Sequence, residues 1–275
     1  MITIIQCADR PALLAGISAI FSGENIEVVS MHEYRDTIAK IFYLRVETGM
    51  VSETGRLHDI LAGALPAGAI ISFSFHPEKK VIVLVSKEHH CLADILIRNQ
   101  FGTLGASVQC VIGNHPVLRN ICERFEIPFH LVPHEAQDRA VFEANLLSVI
   151  DKYEWDYLVL AKFMRILSPE FAARYPLRII NIHHSFLPAF IGANPYRQAY
   201  QRGVKLIGAT AHFITSALDE GPIIAQQAIP VSHSFTPETM IKAGREIETS
   251  VLAKALQLVF ADRVLIHENK TVVLE

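Results

Sequence analysis

A continuous apolar run near residue 80 most strongly constrains the fold of this chain. Residues 80–86 read Lys-Val-Ile-Val-Leu-Val-Ser, which is typical of a central strand buried on both faces of a parallel sheet. From there, strand patterns alternate with helical patterns as far as a strand at residues 179–183. This alternation predicts an α/β domain with a mostly parallel sheet and helices on both faces. In such sheets, ligands bind beyond the carboxyl ends of the strands.

The first 75 residues follow a different order of elements. Their patterns give βαββαβ, which predicts a ferredoxin-like domain with an antiparallel sheet and two helices on one face. The first helix is predicted to open at residues 9–11, because proline is tolerated in a first helical turn. A polar segment with a proline follows at residues 76–80. We therefore predict one domain at residues 1–78 and a second at residues 79–275.

The composition argues against a nucleic acid or a membrane as the main partner. The 275 residues carry a formal net charge of -3, so no basic excess attracts phosphates. The sequence shows no apolar run that could cross a bilayer and no basic signal-peptide start. Four cysteines without a CxxC pair favour a reducing, cytoplasmic location. The 13 histidines form no HExxH motif, so we predict that they hold no metal. No other cofactor is predicted.

The strand at residues 179–183 ends in an amide and two imidazoles. Residues two apart on a strand face the same side, so we expect Asn181 and His183 on one face and His184 on the other. An amide beside an imidazole can stabilise an oxyanion and move a proton. The alternative is a strand end whose polar groups only satisfy the following turn. On a later strand, His212 is predicted to be a hydrogen-bonded core histidine.

Two loops of the second domain bear on function, one by a residue that it contains and one by the glycines that it lacks. Asp219 precedes a Gly-Pro turn, and its position alone favours a turn cap over a catalytic carboxylate. The loop at residues 86–92 contains no glycine, whereas a phosphate-binding loop needs glycines so that backbone amides can approach the anion. The chain is therefore not predicted to bind nucleotides in the usual way of such sheets.

Three separated motifs resemble the folate-dependent formyltransferases. They lie at residues 161–169, 181–188 and 218–222, and the resemblance covers the chain from about residue 80 to its end. Residues 183–190 and 192–196 resemble the signature of the formyltetrahydrofolate deformylase family, in which an ACT domain precedes the formyltransferase fold. Asn194 departs from that family, which often has arginine there.

The resemblance implies roles for individual residues. The catalytic set would be Asn181, His183 and Asp219, and the bond between Leu187 and Pro188 would be cis. The folate would contact two segments, whose members are Met164, Arg165, Ile166, Leu167, Thr215, Ser216, Ala217 and Leu218. The activity implied is hydrolysis of 10-formyltetrahydrofolate to formate and tetrahydrofolate. Two alternatives remain: a formyltransferase to an amine acceptor, and an inactive amino-acid sensor.

The N-terminal segment resembles an ACT domain, which often binds amino acids. A candidate effector site would contain Asp9, Ala12, Leu13, Asn25 and Ile26, with methionine or glycine as the effector. The family usually has glycine where this chain has Ala12, so the other interpretation is a domain used only for assembly. ACT domains commonly pair through their sheets, so the resemblance implies a homo-oligomer.

Overall fold

The computed structural model describes residues 1–51, 53–75, 78–135, 137–188 and 195–274. By its internal contacts the chain divides into two units. The first contains Met1–Pro77 with Ala261–Leu265 and Val272–Glu275, and the second contains Glu78–Phe260 with Ile266–Thr271. The C-terminal residues are thus shared between the units, whereas the expected division placed all of them in the second domain.

The first unit has the predicted ferredoxin-like architecture. Its four strands are antiparallel and lie in the order β2-β3-β1-β4. The elements are β1 (Ile2–Ala8), α1 (Leu13–Gly23), β2 (Val28–Asp36), β3 (Ile41–Thr48), α2 (Thr54–Ala64) and β4 (Ile70–Ser74).

Strand β3 separates two apolar clusters of this unit. Phe42, Leu44 and Val46 alternate along the strand and pack with the buried faces of α1 and α2. Tyr43 points to the opposite face, where it packs with Leu265 and Leu274 from the C-terminus. Both faces of the strand are therefore covered, although the helices cover only one of them.

Helix α1 begins two residues later than expected. Ala12 has φ 63° and ψ 13°, a left-handed conformation that cannot belong to a right-handed helix. Pro11 therefore lies in the turn before the helix, and the expectation that residues 9–11 open it was wrong. Proline is favoured in a first helical turn, but the left-handed backbone of Ala12 separates Pro11 from the helix.

The second unit contains a seven-stranded sheet with helices between its strands. The strand order is β11-β10-β9-β8-β5-β6-β7. The strands are β5 (Lys79–Val85), β6 (Ala106–Gly113), β7 (Phe129–Leu131), β8 (Tyr157–Leu160), β9 (Ile179–His183), β10 (Leu206–Phe213) and β11 (Ile223–Pro230). The helices are α3 (His90–Gln100), α4 (Arg119–Arg124), α5 (Arg139–Ile150), α6 (Pro169–Arg174), α7 (Pro195–Arg202) and α8 (Pro237–Phe260). A hairpin of β12 (Val264–His267) and β13 (Lys270–Val273) follows.

The strand directions place a binding site at one edge of this sheet. The strands from β7 to β9 are parallel, whereas β10 and β11 are antiparallel to their neighbours. The chain builds β6 and β7 on one side of β5 and then crosses to β8 and β9 on the other side. This crossover is the switch point at which ligands of such sheets bind. The prediction of a mostly parallel sheet is confirmed.

Two helices of the second unit show how local signals set their ends. Thr236 caps α8, because its Oγ1 accepts a hydrogen bond from the Thr239 backbone N–H at 3.3 Å, and Pro237 is the first helical residue as predicted. The helix expected at residues 116–125 instead consists of a short 3-10 helix (Pro116–Leu118) followed by α4. Among the described residues, no helix is both long and apolar enough to cross a membrane.

Candidate active site

Strand β9 presents the predicted amide and imidazole at its carboxyl end. Asn181 and His183 lie two residues apart, and their side chains line the same cavity. The register of the neighbouring strand β10 sets His212 opposite Asn181 and Thr210 opposite His183. His183 is 6% exposed, and Thr210 and His212 are buried. The pairing of two strands thus concentrates polar side chains in one largely buried place.

A loop after β10 brings Asp219 to the same place. Its Oδ1 lies 3.4 Å from His183 Nδ1 and 3.8 Å from His212 Nε2. Asp219 has φ 57°, a left-handed conformation that costs most L residues about 1–2 kcal/mol and that Asp and Asn tolerate best. Gly221 holds the loop close to β10, because a Cβ there would collide with the Phe213 carbonyl. The carboxylate of the candidate set is therefore positioned by a strained turn.

The histidines around Asp219 keep it in its ionised form. Burial on its own raises the pKa of the Asp219 carboxyl, but the hydrogen bond and the charge of His183 outweigh burial and lower it. Burial is also the main reason that the pKa of His212 is lowered. At neutral pH the site therefore holds a carboxylate beside a neutral His212.

The hydrogen bonds of His212 set the direction of the Asn181 amide. His212 Nδ1 lies 2.9 Å from the Phe213 carbonyl oxygen, which can only accept, so Nδ1 carries the ring proton. Nε2 is then an acceptor, and Asn181 Nδ2 donates to it at 3.2 Å. The second N–H of that amide remains for a ligand.

His183 also keeps one ring nitrogen for a ligand. Its Nδ1 faces Asp219, whereas its Nε2 is buried and has no hydrogen-bond partner among the residues that the structure describes. A buried nitrogen without a partner is costly unless a substrate or a water satisfies it. The arrangement thus offers one N–H of Asn181 and one nitrogen of His183 to the same space.

Two further histidines differ from what their sequence positions suggested. His212 is buried and hydrogen-bonded as predicted, but it lies inside the candidate site, which sequence reasoning missed because the strand register was unknown. His184 was expected to face away from the site, yet it lines the same cavity as His183. Strand β9 ends at His183, so the alternation of a strand no longer governs the next side chain. Burial, followed by the charge of Lys162, lowers the pKa of His184 to about 4.

A cavity of about 460 Å³ opens on these groups. The eight residues expected to contact folate all line it, together with apolar side chains of the sheet, such as Leu160 and Ile182, and with Arg139 of α5. These eight are Met164, Arg165, Ile166, Leu167, Thr215, Ser216, Ala217 and Leu218. The two predicted segments therefore form walls of one cavity.

The loop from Met164 to Leu167 is held at both ends by buried side chains. The Met164 backbone N–H donates to Ser86 Oγ at 2.9 Å. At the other end, the Ser168 backbone N–H and hydroxyl both donate to the Glu143 carboxylate at 2.6 Å. Ser86 thus serves the loop that follows β8 instead of a phosphate. Sequence reasoning did not single out Glu143, whose apolar neighbours on α5 gave no sign of a buried carboxylate.

A second cavity of about 640 Å³ adjoins the first and shares Lys162, Met164 and His184 with it. Its wall contains the Glu248 carboxylate, which is 1% exposed. Glu248 interacts with His90 Nε2 at 2.7 Å, the Tyr196 hydroxyl at 2.9 Å and Lys162 Nζ at 3.1 Å.

The Glu248 carboxyl remains ionised although it is buried. Burial raises its pKa, but the His90 hydrogen bond and the charge of Lys162 lower the pKa to about 2. Sequence reasoning did not find this network, because its members come from separate elements with no shared motif.

The five candidate effector residues lie in the first unit. Asp9 forms an ion pair with Arg35 at 3.1 Å, and Leu13 is buried in the core. Ala12 and Asn25 both have positive φ, and the Ile26 backbone N–H donates to the Phe21 carbonyl. The Asp9 carboxylate is thus partly engaged within the protein.

Part of the family signature lies outside the described residues. Phe190, Gly192 and Asn194 belong to that part. The bond between Leu187 and Pro188 is described and is cis, as the resemblance implied.

The sequence matches the model of the formyl transferase family over residues 79–256. The chain is similar to the formyltetrahydrofolate deformylase of Haemophilus influenzae, with 49% identity over 274 residues that cover 99% of this chain and 98% of that protein. It is also similar to the formyltetrahydrofolate deformylase of Bacillus subtilis, with 42% identity over 98% of this chain and 92% of that protein.

Solved structures give the same picture. A formyltetrahydrofolate deformylase from Pseudomonas syringae superposes with a TM-score of 0.92 at 38% identity and covers 100% of this chain and 94% of its own. A glycinamide ribonucleotide transformylase from Symbiobacterium toebii superposes with a TM-score of 0.69 at 31% identity. That match covers 76% of this chain and 100% of the transformylase.

Proposed function

The chain belongs to the formyl transferase family and, within it, to the formyltetrahydrofolate deformylases, and from this premise we propose how it hydrolyses 10-formyltetrahydrofolate to formate and tetrahydrofolate. One observation carries the proposal. Asn181, His183 and Asp219 come from a strand and a distant loop, yet they converge on one wall of the 460 Å³ cavity. The amine transferase and the inactive sensor are not favoured, because the similar proteins over the full chain are deformylases.

The cavity suits one end of a folate. Phe163, Ile166 and Leu218 give it apolar surface that can cover a flat heterocycle. Asn181, His183 and Asp219 lie together on its wall. The formyl group is therefore proposed to sit against these three side chains, with the ring system along the apolar walls.

The amide and the imidazole are proposed to stabilise the negative charge of the reaction. Water attacks the formyl carbon, and charge builds up on the formyl oxygen. The free N–H of Asn181 can donate to that oxygen, and so can His183 Nε2 when the ring is protonated beside Asp219. Each such donor is typically worth about 3–4 kcal/mol of barrier.

The carboxylate is proposed to handle protons. Asp219 can take a proton from the attacking water and can stabilise a protonated His183 at 3.4 Å. The N10 atom of the folate must gain a proton as its bond to the formyl carbon breaks, and the pair of His183 and Asp219 lies where this proton is needed. Water and these side chains complete the reaction, so we propose no metal and no organic cofactor.

The test is formate release from 10-formyltetrahydrofolate in the absence of any amine. We expect the wild-type protein to release formate and tetrahydrofolate in equal amounts. Asp219→Asn is the matched variant, because asparagine also accepts the left-handed backbone. It should retain the fold and lose about 10²-fold or more of the turnover. Equal rates for the two proteins would remove Asp219 from the mechanism.

The remaining parts of the proposal concern assembly and regulation. Strand β2 is an edge strand with exposed Val28 and Val29, which supports pairing between copies in a homo-oligomer. Light scattering of the full chain tests for this homo-oligomer.

Methionine or glycine is proposed as an effector of the first unit, and a thermal shift at millimolar amino acid tests for its binding. The four cysteines are free and buried, which supports a cytoplasmic location.

A further inference from the structure

The shared wall of the two cavities bears on how the protein chooses water over other acceptors. This question rests on the proposed function. When a folate fills the 460 Å³ cavity, the adjoining cavity of about 640 Å³ is the side from which an acceptor can approach the formyl carbon. Lys162, Met164 and His184 line both cavities and therefore lie where they meet.

Lys162 occupies a position that does not suit a lysine. Its backbone has φ 62°, a left-handed conformation that glycine adopts without strain. The side chain is only 8% exposed, so a charged group has been taken out of water as well. Neither cost is offset by a local backbone advantage. The side chain itself must therefore contribute something at this junction.

The partner of Lys162 shows what that contribution is. The Glu248 carboxylate is buried in the wall of the second cavity, where it would accept hydrogen bonds from the N–H groups of an incoming neutral primary amine and leave the lone pair of that amine free. Lys162 Nζ already occupies that carboxylate at 3.1 Å. His90 and Tyr196 bind the same carboxylate from α3 and α7, so the pair is held from several elements.

We propose that Lys162 restricts the formyl acceptor to water. Its ammonium takes the carboxylate that would recognise an amine, and its side chain fills space at the junction of the two cavities. Water needs neither that carboxylate nor that space. Lys162 does not accept the formyl group itself, because an ammonium held by Glu248 has no lone pair to attack with.

In the alternative reaction, a neutral primary amine attacks the formyl carbon with its lone pair, and a new N–C bond forms while the bond to N10 breaks. One amine proton leaves and N10 gains a proton, which the pair of His183 and Asp219 can transfer. The products are an N-formyl amine and tetrahydrofolate. Removal of the Lys162 side chain should permit this reaction.

The experiment compares the products made by Lys162→Gly and by the wild-type protein. Each is given 10-formyltetrahydrofolate labelled in the formyl carbon, together with glycinamide as a small primary amine. NMR then measures the ratio of N-formylglycinamide to formate. We expect formate alone from the wild type, with N-formylglycinamide below the detection limit, and for Lys162→Gly a ratio at least about tenfold above that limit. A ratio does not depend on how much of a variant is folded.

Two other variants make the result decisive. Lys40 also has positive φ but is exposed in the first unit and lines neither cavity, so Lys40→Gly is the matched control and should yield formate alone. Lys162→Met keeps much of the side-chain volume and loses the charge, so its ratio should be intermediate. If Lys162→Gly does not fold, the ratio of Lys162→Met decides.

Two results would overturn the proposal. One is formate as the sole product of both Lys162 variants. The other is folded Lys162 variants that turn over no formyl group, since Lys162 would then be needed for hydrolysis itself. Failure of the wild-type protein to release formate would instead refute the proposed function, so the two failures are distinguishable.

Discussion

Asn181 is useful to the site because only one of its two amide N–H groups is committed. His212 Nε2 accepts that N–H at 3.2 Å, and this bond turns the other N–H toward the cavity. An amide directed in this way needs no reorganisation when charge develops on a substrate oxygen. His212 is therefore a positioning residue for Asn181.

Truncation of either oxyanion donor should reduce turnover more than binding. We expect Asn181→Ala and His183→Ala to lower kcat about 10²–10³-fold, because each removes a group that acts mainly in the transition state. Affinity for tetrahydrofolate should change little, since the apolar walls remain. Steady-state kinetics and calorimetric titration measure the two effects. The exposed Asn145→Ala is the control, and kcat values equal to that of the control would contradict the roles proposed.

Ala12 carries backbone strain that a smaller residue would relieve. Its φ of 63° favours glycine, so Ala12→Gly should raise the free energy of unfolding by about 0.5–1 kcal/mol. Ala19 lies exposed within α1, where glycine weakens a helix, and Ala19→Gly should lower the same quantity by about 1 kcal/mol. Urea unfolding of the full chain measures both. Shifts of the same sign would show that the strain at Ala12 is negligible.

At the scale of elements, the Tyr196 ring of α7 packs directly against Gly244 of α8. A Cβ on Gly244 of α8 would collide with the Tyr196 ring, whose hydroxyl donates to Glu248. Gly244 therefore weakens its own helix but lets the phenol reach the buried carboxylate.

Alanine should change the stability of the protein in opposite directions at Gly244 of α8 and at Gly16 of α1. Gly244→Ala should destabilise the protein by about 1–3 kcal/mol, because Tyr196 must move off Glu248. Gly16 in α1 has open space around its Cβ position, and Gly16→Ala should stabilise by about 0.5–1 kcal/mol. Chemical unfolding of both variants is the measurement. A stabilising Gly244→Ala would mean that Tyr196 does not pack as described.

Local patterns predicted the elements well and their contacts poorly. The apolar run of β5 and the alternation of β3 identified both sheets. A strand buried on both faces has a continuous apolar sequence, whereas a strand buried on one face alternates apolar and polar residues. The start of α1 was missed because a left-handed Ala12 produces no such pattern. The fold class therefore followed from sequence, whereas single boundaries depended on backbone strain.

The candidate site divided in a similar way. Asn181, His183 and Asp219 came from motifs, and only the family resemblance favoured Asp219 over a turn cap. The place of His212 in the site and the contacts of Glu248 were not predicted, because they depend on strand register and on packing between separate elements. Contacts between segments distant in sequence leave no periodic pattern for one sequence to reveal.

For the whole molecule, acid should reduce stability in two separate pH ranges. His184 has a folded pKa of about 4, below its ordinary 6.5, so the unfolded chain takes up a proton first as pH falls. Its contribution is therefore complete above pH 6.5 and is lost toward pH 4. Glu248 is lowered from 4.5 to about 2, so its contribution is lost over that lower range. Both groups favour the folded state at neutral pH.

The upper range can be assigned by substitution. Between pH 6.5 and 4, the slope of unfolding free energy against pH should be smaller for His184→Gln than for the wild type. The difference should correspond to the uptake of at most about one proton on unfolding. His89→Gln removes an exposed imidazole and should leave the slope unchanged. Urea unfolding at a series of pH values gives the slopes. Equal slopes for His184→Gln and the wild type would show that His184 is not buried as a neutral ring.

The first unit depends on Leu265 and Leu274 to cover Tyr43. During synthesis the N-terminal segment emerges from the ribosome first, so Leu265 and Leu274 leave the exit tunnel long after Tyr43. The unit that is begun earliest therefore cannot complete its second apolar cluster until the second unit has been synthesised. A nascent chain that stops before Leu265 would leave that cluster open to chaperones.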